Sequence, residues 1–593
     1  MLNIKKVSLL SLVIYLMLFV VNSKLKLSKA NASSLKLCSG FQSQKIYAVP
    51  TANKKVSCPT SGSKIIYVSA SGDDSNDGLS SDRPVQSLKK AVRLTRRNSP
   101  DWIVLKRGET FYDSFGIFKN KKSQPPFGGK ITNSPFVITS YGDSLKRPII
   151  RAERNGIELW GPFKNITISG LEFNSQPGSG GTGIRTLGEG KNYVIHNNYI
   201  SGYGVAINIQ GKPEKNNWFD KIFVRDNIIT NSASASKKSH SQGMFILGTK
   251  ELTIEGNVFD NCGWHLDRNG ELKNSRIATI FNHCIYLQKG GYPAKVSKNI
   301  ITRASSHGLQ ARSGAFVENN VFARNPIQFF IASKGLNGKA NQNRMVAKNN
   351  VVLEGNDINY YLQRGVGIQH NNAYLARYNN NIIAHVLSAS KNNKKGIDVV
   401  CNTIDSHTSV SGKCQAQFNR NFVYNWGNEL GGSLVSGKNF NNSLFISHSF
   451  INNTFIAVSK GTKFVNFEQE ILENRYKFQN NTYISDDLTN KILYSLPENP
   501  RATFIVWKKS VEPKARGANR LNFADPCRTM ATYYDDFILG NLEKDNCKIM
   551  HDNKLFGQFV QLAKQKNAHI PESGVDVYSF INYVKEGFGM NTP

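Results

Sequence analysis

Beyond residue 32 the sequence has no apolar run long enough to cross a membrane, and it is short of acidic residues throughout. Asp and Glu number 42 against 75 Lys and Arg, which gives a formal net charge of +33. From about residue 100 onward there is no long helical periodicity, so a helical architecture is not expected. Strict hexapeptide repeats are also missing, which argues against a left-handed β-helix.

The N-terminus has the features of an export signal. Lys5 and Lys6 precede an apolar run at 7–21, and Ala-Asn-Ala at 30–32 fits a cleavage site. The run is shorter than the ~20 residues of a spanning helix. An uncleaved anchor is the alternative, because the stretch 24–29 is long and basic. We predict that residues 1–32 are a signal peptide, that no membrane span remains after its removal, and that the mature protein is exported.

The positive charge predicts an anionic partner. Removing the five lysines of the leader still leaves +28. For an exported protein this favours acidic polysaccharide or an anionic cell surface over nucleic acid. A lysine-rich codon preference would give the same composition, and composition alone does not separate the two.

The eight cysteines suit an oxidising compartment. Three pairs are close enough in sequence to form disulfides, namely Cys38 with Cys58, Cys401 with Cys414, and Cys527 with Cys547. Cys262 and Cys284 either face each other across adjacent turns or are free.

An asparagine followed by two apolar or β-prone residues recurs along the chain at intervals of 19 to 42 residues. Asparagine tolerates the left-handed turn conformation, and stacked amides can bond from one turn to the next. This period is typical of a β-solenoid. We therefore expect one column made of Asn198, Asn227, Asn257, Asn299, Asn320, Asn350, Asn381, Asn402, Asn421, Asn453 and Asn481.

The segments before and after the repeat are predicted to cover the two ends of the solenoid. Residues 33–62 are a disulfide-containing lead-in, and the solenoid with its N-terminal cap is expected at 63–495. The cap contains a strand near Ile65, a polar loop at 71–82 and a helix starting at Ser81 or Asp82. The tail, 496–593, has an amphipathic helix at 573–589 and a weaker candidate at 554–566. We expect this tail to be a partly helical appendage.

The polar loop of the cap is a candidate Ca²⁺ site. Asp73, Asp74 and Asp77 offer the oxygen ligands that Ca²⁺ prefers. No EF-hand spacing is present, so a simple Asp-rich turn is the alternative. No other cofactor is predicted, and a metal site is otherwise undetermined.

With these motifs in view, the chain resembles secreted right-handed parallel β-helix proteins of the pectin-lyase-like superfamily. YVSASGDDSNDGLSSDRPVQSLKKAV resembles the N-terminal cap of that superfamily, which includes many polysaccharide lyases. FNHCIYLQ, SSHGLQAR and the ending DPCRTMATYYDDFIL to YSFINYVKEGFG resemble a narrower group of bacterial β-helix repeat proteins, which has no settled activity. The resemblance implies an all-β fold, a single right-handed parallel β-helix with a capping helix and a short helical tail.

One pattern occurs twice, 24 residues apart, at 283–288 and 307–312. Alternation in each copy turns its polar residues to one face of a strand. We predict a patch with catalytic candidates His283, Tyr286, His307 and Arg312, and with substrate-binding candidates Gln288, Lys289, Gln310, Gln328 and Trp264. Trp264 belongs to a long insertion that we expect to wall a cleft. The alternative is that the histidines are ordinary stacked turn residues.

The residue types favour one chemistry over another. The strands of the patch lack Asp and Glu, whereas glycoside hydrolysis normally uses two carboxylates. β-Elimination from a uronic acid needs a cation for the carboxylate, a base for the C5 proton and an acid for the leaving oxygen. Arg312 with Gln310, a histidine and Tyr286 suit these roles. A lyase acting on an acidic polysaccharide is therefore predicted, with a non-catalytic adhesin as the rival and a hydrolase or epimerase third.

Overall fold

A computed structural model describes most of the chain from residue 36 to residue 590. The residues left out are 1–35, 120–126, 179, 236–239, 266–277, 334–343, 359–363, 388–393, 402–412, 429–430, 440–444, 468–474, 487, 489–493, 496–498, 500–501, 519–522, 524, 542–544, 567–574 and 591–593. The predicted signal peptide lies outside the described residues. Among the described residues no helix is both long and apolar enough to span a membrane.

Three long parallel sheets run side by side, and each turn of the chain adds one strand to each sheet. Sheet 1 consists of Ile117–Lys119, Asn155–Trp160, Thr182–Leu187, Val205–Gln210, Gln242–Leu247, His283–Leu287, His307–Ala311, Ile327–Ile331, Val366–Asn371, Lys395–Cys401, Gly431–Asn439, Lys463–Phe467 and Tyr494–Ser495, with Gly427–Asn428 beside Gly431–Asn439. Sheet 2 consists of Ile65–Val68, Trp102–Lys106, Phe136–Tyr141, Phe163–Ser169, Gly190–His196, Phe219–Arg225, Leu252–Glu255, Ala294–Ser297, Ala315–Glu318, Met345–Lys348, Ala376–Asn379, Lys413–Asn419, Phe445–Ile451 and Tyr476–Gln479, with Phe127–Gly128 at its side. Sheet 3 consists of Thr110–Phe111, Ile149–Ile150, Glu172–Asn174, Tyr199–Ser201, Ile228–Thr230, Val258–Asp260, Ile300–Thr302, Val321–Ala323, Val351–Gly355, Ile382–Val386, Phe422–Tyr424, Thr454–Ile456, Thr482–Ile484 and Arg516–Ala518.

The chain passes from sheet 1 to sheet 2 to sheet 3 and back to sheet 1, so the three sheets enclose one interior. Equivalent apolar side chains stack along that interior in register, and each member of the sheet-1 column is fully buried. That column is Ile157, Ile184, Ile207, Met244, Ile285, Leu309, Phe329, Ile368, Ile397, Val435 and Val465. The fold is a right-handed parallel β-helix, which confirms the predicted fold class.

The predicted asparagine column occupies the corner between sheets 2 and 3. In each rung the backbone N–H and the Nδ2 of one asparagine donate to the Oδ1 of the next, at 2.8–3.1 Å. Asn381 bonds directly to Asn421, so no rung stands between them. Asn402, the remaining member of the predicted column, lies outside the described residues.

The left-handed backbone conformation belongs to the residue before each rung and not to the rung itself. These preceding residues have φ between 53° and 71°, and six of the ten are asparagine, as in Asn319-Asn320. The sequence pattern had suggested that one asparagine makes both the bend and the hydrogen bonds. In the structure the first residue makes the bend and the second, which is buried, makes the hydrogen bonds.

The column ends at a carboxylate. Glu512 Oε1 accepts from the backbone N–H and Nδ2 of Asn481, at 2.7 and 3.1 Å. Its Oε2 accepts from the hydroxyl of Tyr483 at 2.7 Å and faces the indole N–H of Trp507 at 3.4 Å. Trp507 belongs to the helix Phe504–Ser510, which covers this end of the interior.

The other end is closed by the helix Leu88–Leu94, whose Leu88 and Ala91 pack into the core. Its N-cap is Ser87, whose Oγ accepts from Lys90 N at 3.1 Å. The predicted start at Ser81 or Asp82 is wrong, because the chain is still extended at Val85, which bridges to Val68.

The Asp-rich loop before this helix is held by hydrogen bonds to its own backbone. Asp73 accepts from the N–H of Ser75 and Asp77 from that of Leu79. Asp74 accepts from the backbone and hydroxyl of Ser87, at 2.8 and 2.6 Å. These contacts have the geometry of capped turns.

Beyond Ala518, the described part of the tail contains the helices Met530–Tyr534, Asp535–Leu539 (a π-helix), Asn546–Ile549, Asn553–Lys566 and Val577–Gly587, which confirms both predicted helical segments. Phe559 and Phe580 pack with Val321, Val351 and Ile382 of sheet 3. The tail therefore covers the outer apolar face of that sheet.

All three predicted disulfides are present. Cys38–Cys58 closes the lead-in, Cys401–Cys414 joins sheets 1 and 2, and Cys527–Cys547 lies within the tail. Cys262 and Cys284 are buried free thiols in contact with each other.

Candidate functional site

The candidate site lies on the outer face of sheet 1, near the middle of the coil. Adjacent strands place His283 beside His307 and Tyr286 beside Gln310. Phe245 on one side and Phe330 on the other continue the row that contains Tyr286. The 24-residue spacing is thus one turn of the helix, as predicted.

The two histidines form a close pair. Their ring centroids are 4.6 Å apart and nearly perpendicular, and the Nδ1 atoms are 3.1 Å apart. The hydroxyl of Ser306 lies 3.0 Å from the same Nδ1 of His307. Because one Nδ1 must donate and the other accept, two neutral rings in this contact hold different tautomers. The side chains are enclosed, with 2% of His283 and 7% of His307 exposed.

Burial sets the protonation state of the pair. Loss of solvent lowers the pKa of His307 to about 3, and the charge of Arg364 acts in the same direction. Burial, together with His307, His240 and Arg312, holds the pKa of His283 well below its usual value. The histidines are therefore neutral far below pH 6.5 in the free protein. A solvated imidazole would instead protonate near pH 6.5.

Tyr286 and Arg312 form the more accessible half of the site. The Nη1 of Arg312 donates to the phenol oxygen of Tyr286 at 3.2 Å. The ring of Tyr286 packs edge-on against His283 at 4.9 Å and against Phe245 at 5.5 Å. Both residues are half-buried. Since Arg312 bonds to the oxygen, the hydroxyl proton of Tyr286 is directed elsewhere.

Three of the five substrate-binding candidates lie beside these residues. Gln310 is half-buried next to Tyr286. The backbone N–H of Gln288 donates to Ile246 O, which continues the strand pairing by one residue. The side-chain oxygen of Gln288 accepts from the N–H of Lys289 at 2.9 Å. Lys289 is exposed at the end of the strand.

Gln328 is not on the surface, and its prediction as a substrate-binding residue is wrong. It is fully buried, donates to Leu353 O at 3.0 Å and accepts from Asn325 Nδ2 at 2.7 Å. Cys284 and Gly308 occupy the same strand position, where the chain turns the corner into sheet 1. Simple alternation fails at this residue because the corner turns its side chain inward.

Trp264 lies at the corner between sheets 3 and 1. Its indole N–H donates to Arg303 O at 3.1 Å, and its short strand pairs with Ala233–Ser234. These contacts tie it to the turn after sheet 3 rather than to the patch. The insertion expected to wall a cleft lies outside the described residues over 266–277.

Two residues near the histidines were not among the predicted site residues. Gln242 is buried, and its Oε1 accepts from the N–H of His283 at 2.8 Å. The register of the strands could have revealed it, because Gln242 pairs with His283. Arg364 lies at a corner with no strand pattern, so nothing in the sequence linked it to His307.

Carboxylates are remote from the patch among the described residues of sheet 1. In the outward row that contains Tyr286, the acidic members are Glu158 and Asp398. Asp398 is three turns beyond Gln310, about 14 Å at ~4.8 Å per strand. Each is also paired, Glu158 with Arg185 and Asp398 with Lys395. A two-carboxylate hydrolytic arrangement is not formed there.

Comparison with known proteins agrees with the fold. A family model described as "Right handed beta helix region" matches residues 149–322. No curated protein matches the chain. Similar solved structures include a rhamnogalacturonan lyase (12% identity, 70% of this chain and 87% of that chain, TM-score 0.33) and pectate lyase Pel9A (13%, 83% and 88%, 0.31). A GH136 lacto-N-biosidase from Eubacterium ramulus is also similar (12%, 77% and 68%, 0.32). At such identities and scores, the chemistry has to be argued from the residues of this chain.

Proposed function

We propose that this chain, a right-handed parallel β-helix protein, belongs to the pectin-lyase-like superfamily and is an exported enzyme that cleaves an anionic, uronate-containing polysaccharide by β-elimination. The observation that carries the proposal is the pairing of Arg312 with Tyr286 beside a neutral histidine pair, with no carboxylate in the described patch. The three disulfides are consistent with an oxidising compartment.

Arg312 binds the uronate carboxylate. Its guanidinium presents parallel N–H donors that match a carboxylate, and it neutralises the charge that develops as the C5 proton leaves. Gln310, two residues before Arg312 and beside Tyr286 of the neighbouring strand, donates a further hydrogen bond. The net charge of the chain, +28 once the five lysines of the leader are removed, attracts an acidic polymer to the protein.

Tyr286 is the acid, because its hydroxyl proton is not used by Arg312 and is available to the leaving oxygen. The histidine pair is the base, with His307 as the more exposed member. In the free protein its proton affinity is low. A carboxylate bound by Arg312 places a negative charge beside the pair and raises the pKa of the histidines toward a useful range.

A non-catalytic glycan-binding protein is the second candidate. It is favoured by the enclosure of His283 and His307, which leaves the arginine, tyrosine and glutamine as a binding surface. Hydrolysis and epimerisation rank lower, hydrolysis because the described patch lacks the two carboxylates.

The test is a substrate screen of the full chain against pectate, rhamnogalacturonan, alginate and glycosaminoglycans. Ultraviolet absorbance detects the conjugated double bond that elimination creates. Arg312→Lys is expected to lower turnover by about a hundredfold or more, because lysine keeps the charge but not the paired donors. Arg185→Lys is the matched control, since Arg185 occupies the row of Tyr286 three turns away.

Equal turnover by Arg312→Lys and the wild type would refute the site. If the wild type binds these polymers without forming an unsaturated product, the binding-protein candidate replaces the lyase.

A further inference from the structure

Four potential metal ligands lie close together inside the β-helix, beginning two turns beyond the strand of His307. His370 lies in the sheet-1 strand Val366–Asn371, and Cys401 ends the next strand of that sheet. Cys414 and His448 lie in consecutive strands of sheet 2. Three successive turns thus contribute one histidine, two cysteines and one histidine, and none of the four is more than 1% exposed.

The sulfur atoms of Cys401 and Cys414 and a ring nitrogen of His448 all lie within 4.8 Å of one another, and His370 adjoins this group through Cys414. The Nε2 of His448 is 3.2 Å from Cys401 Sγ, and the Nε2 of His370 is 3.6 Å from Cys414 Sγ. The two imidazole rings are 5.6 Å apart. In a tetrahedral zinc site with Zn–S of about 2.3 Å and Zn–N of about 2.0–2.1 Å, sulfur and nitrogen ligands lie about 3.6 Å from each other. The two sulfur–nitrogen distances are therefore close to those of a filled site.

This polar group lies in an interior that is mainly apolar. The residues in register with His370 and His448 are Ile331, Val399, Ala416 and Tyr476. The Nδ1 of His448 is buried and finds no hydrogen-bond partner among the described residues. Unpaired polar groups are costly in such a place and call for an explanation.

The second histidine has the support that ligands usually have. His370 Nδ1 contacts the hydroxyl of Tyr378 at 3.1 Å, which fixes the ring with Nε2 toward the cysteines. Metal-bound histidines are commonly held in this way through their other ring nitrogen.

We propose that His370, Cys401, Cys414 and His448 bind a divalent cation of the zinc type when the Cys401–Cys414 disulfide is reduced. Two sulfur and two imidazole ligands match zinc in kind and number. The disulfide and the metal are alternative links across the same corner, between sheet 1 and sheet 2.

The disulfide form is converted to the metal-binding form by thiol–disulfide exchange. A dithiol reductant supplies two electrons and two protons, becomes a disulfide itself, and converts Cys401 and Cys414 to thiols. The S–S bond breaks, and the sulfurs separate to about 3.8 Å, the spacing that the Zn–S bond length implies. On metal binding both thiols lose their protons to solvent. Two thiolates and a dication form a neutral unit, which suits an apolar interior.

The experiment uses the full chain, refolded without oxygen in a dithiol reductant with Zn²⁺ or Co²⁺. Native mass spectrometry counts bound metal, and cobalt spectra report thiolate charge transfer and tetrahedral geometry. We expect one metal per folded chain. His448→Phe should lose the tetrahedral spectrum, and Tyr378→Phe should weaken cobalt binding by about ten- to a hundredfold. His240→Phe, an exposed histidine elsewhere, and Cys262→Ala, from the other thiol pair, should bind as the wild type does.

The proposal is overturned if the reduced wild type folds without taking up metal, or if it fails to fold although metal is present. It is also overturned if His448→Phe keeps the wild-type spectrum, since the metal would then be bound elsewhere.

Discussion

Replacing one rung of the asparagine column should cost far more stability than replacing the residue beside it. Asn320 accepts from the N–H and Nδ2 of Asn299, both at 3.0 Å. Its own Nδ2 donates to Val296 O, Glu318 O and Asn350 Oδ1. All of this takes place in a buried corner.

Asn320→Ala leaves the N–H of Asn299 without its acceptor and removes a donor from Val296 O. Each buried group that loses its partner costs about 1–3 kcal/mol. We therefore expect a loss of about 2–5 kcal/mol in the free energy of unfolding.

The neighbour Asn319 provides the matched comparison, because it differs from the rung in conformation. Its φ is 55°, so Asn319→Ala should cost about 1–2 kcal/mol. Asn319→Gly should cost only a few tenths, since glycine adopts this conformation freely.

Urea unfolding of the three variants gives the free energies, and hydrogen exchange at the Asn299 amide reports the local opening. If Asn320→Ala is no less stable than Asn319→Gly, the column is a by-product of stacking and does not hold the coil together.

Two further outcomes follow from burial. The pKa of five enclosed histidines, namely His283, His307, His370, His385 and His448, is lowered by burial. In the unfolded chain the same histidines bind protons near pH 6.5. The free energy of unfolding therefore has its full value above that pH, and it falls by about 1.4 kcal/mol per pH unit per histidine as the pH drops through 6.5 toward 4. Urea midpoints that are equal at pH 7 and pH 5 would contradict this. Truncation after Ala518 uncovers Val321, Val351 and Ile382, each worth about 1.5–3 kcal/mol when buried, so the shortened chain should self-associate. Size-exclusion chromatography of a fully monomeric truncated protein would contradict that expectation.

Much of the fold could be read from the sequence because a solenoid repeats its local rules. The spacing of His283 and His307 gave their register, since one turn of the coil fixes it. The failures occurred at corners. Gln328 was placed outward by alternation, but the chain bends at that position and turns the side chain inward.

Long-range contacts also escaped the sequence. The amphipathic pattern of the tail predicted helices but not their docking on sheet 3, because the surface they cover comes from many separate turns. The meeting of His370, Cys401, Cys414 and His448 depends on three stacked turns and on variable insertions. Arg364 reaches His307 for the same reason, across a segment with no periodicity.

The hydrogen bonds of the asparagine column all run in one direction along the chain, and the column ends at Glu512. A side-chain amide accepts at its oxygen and donates at its nitrogen. Every asparagine therefore accepts from the previous turn and needs an acceptor in the next turn. A carboxylate accepts from both sides and has no N–H to hand on. Glu512 takes up the last two donors from Asn481 and creates no new ones. Glu512 therefore ends the column. A coil that lacked this carboxylate would expose unpaired N–H donors, on which a second molecule could continue the stack.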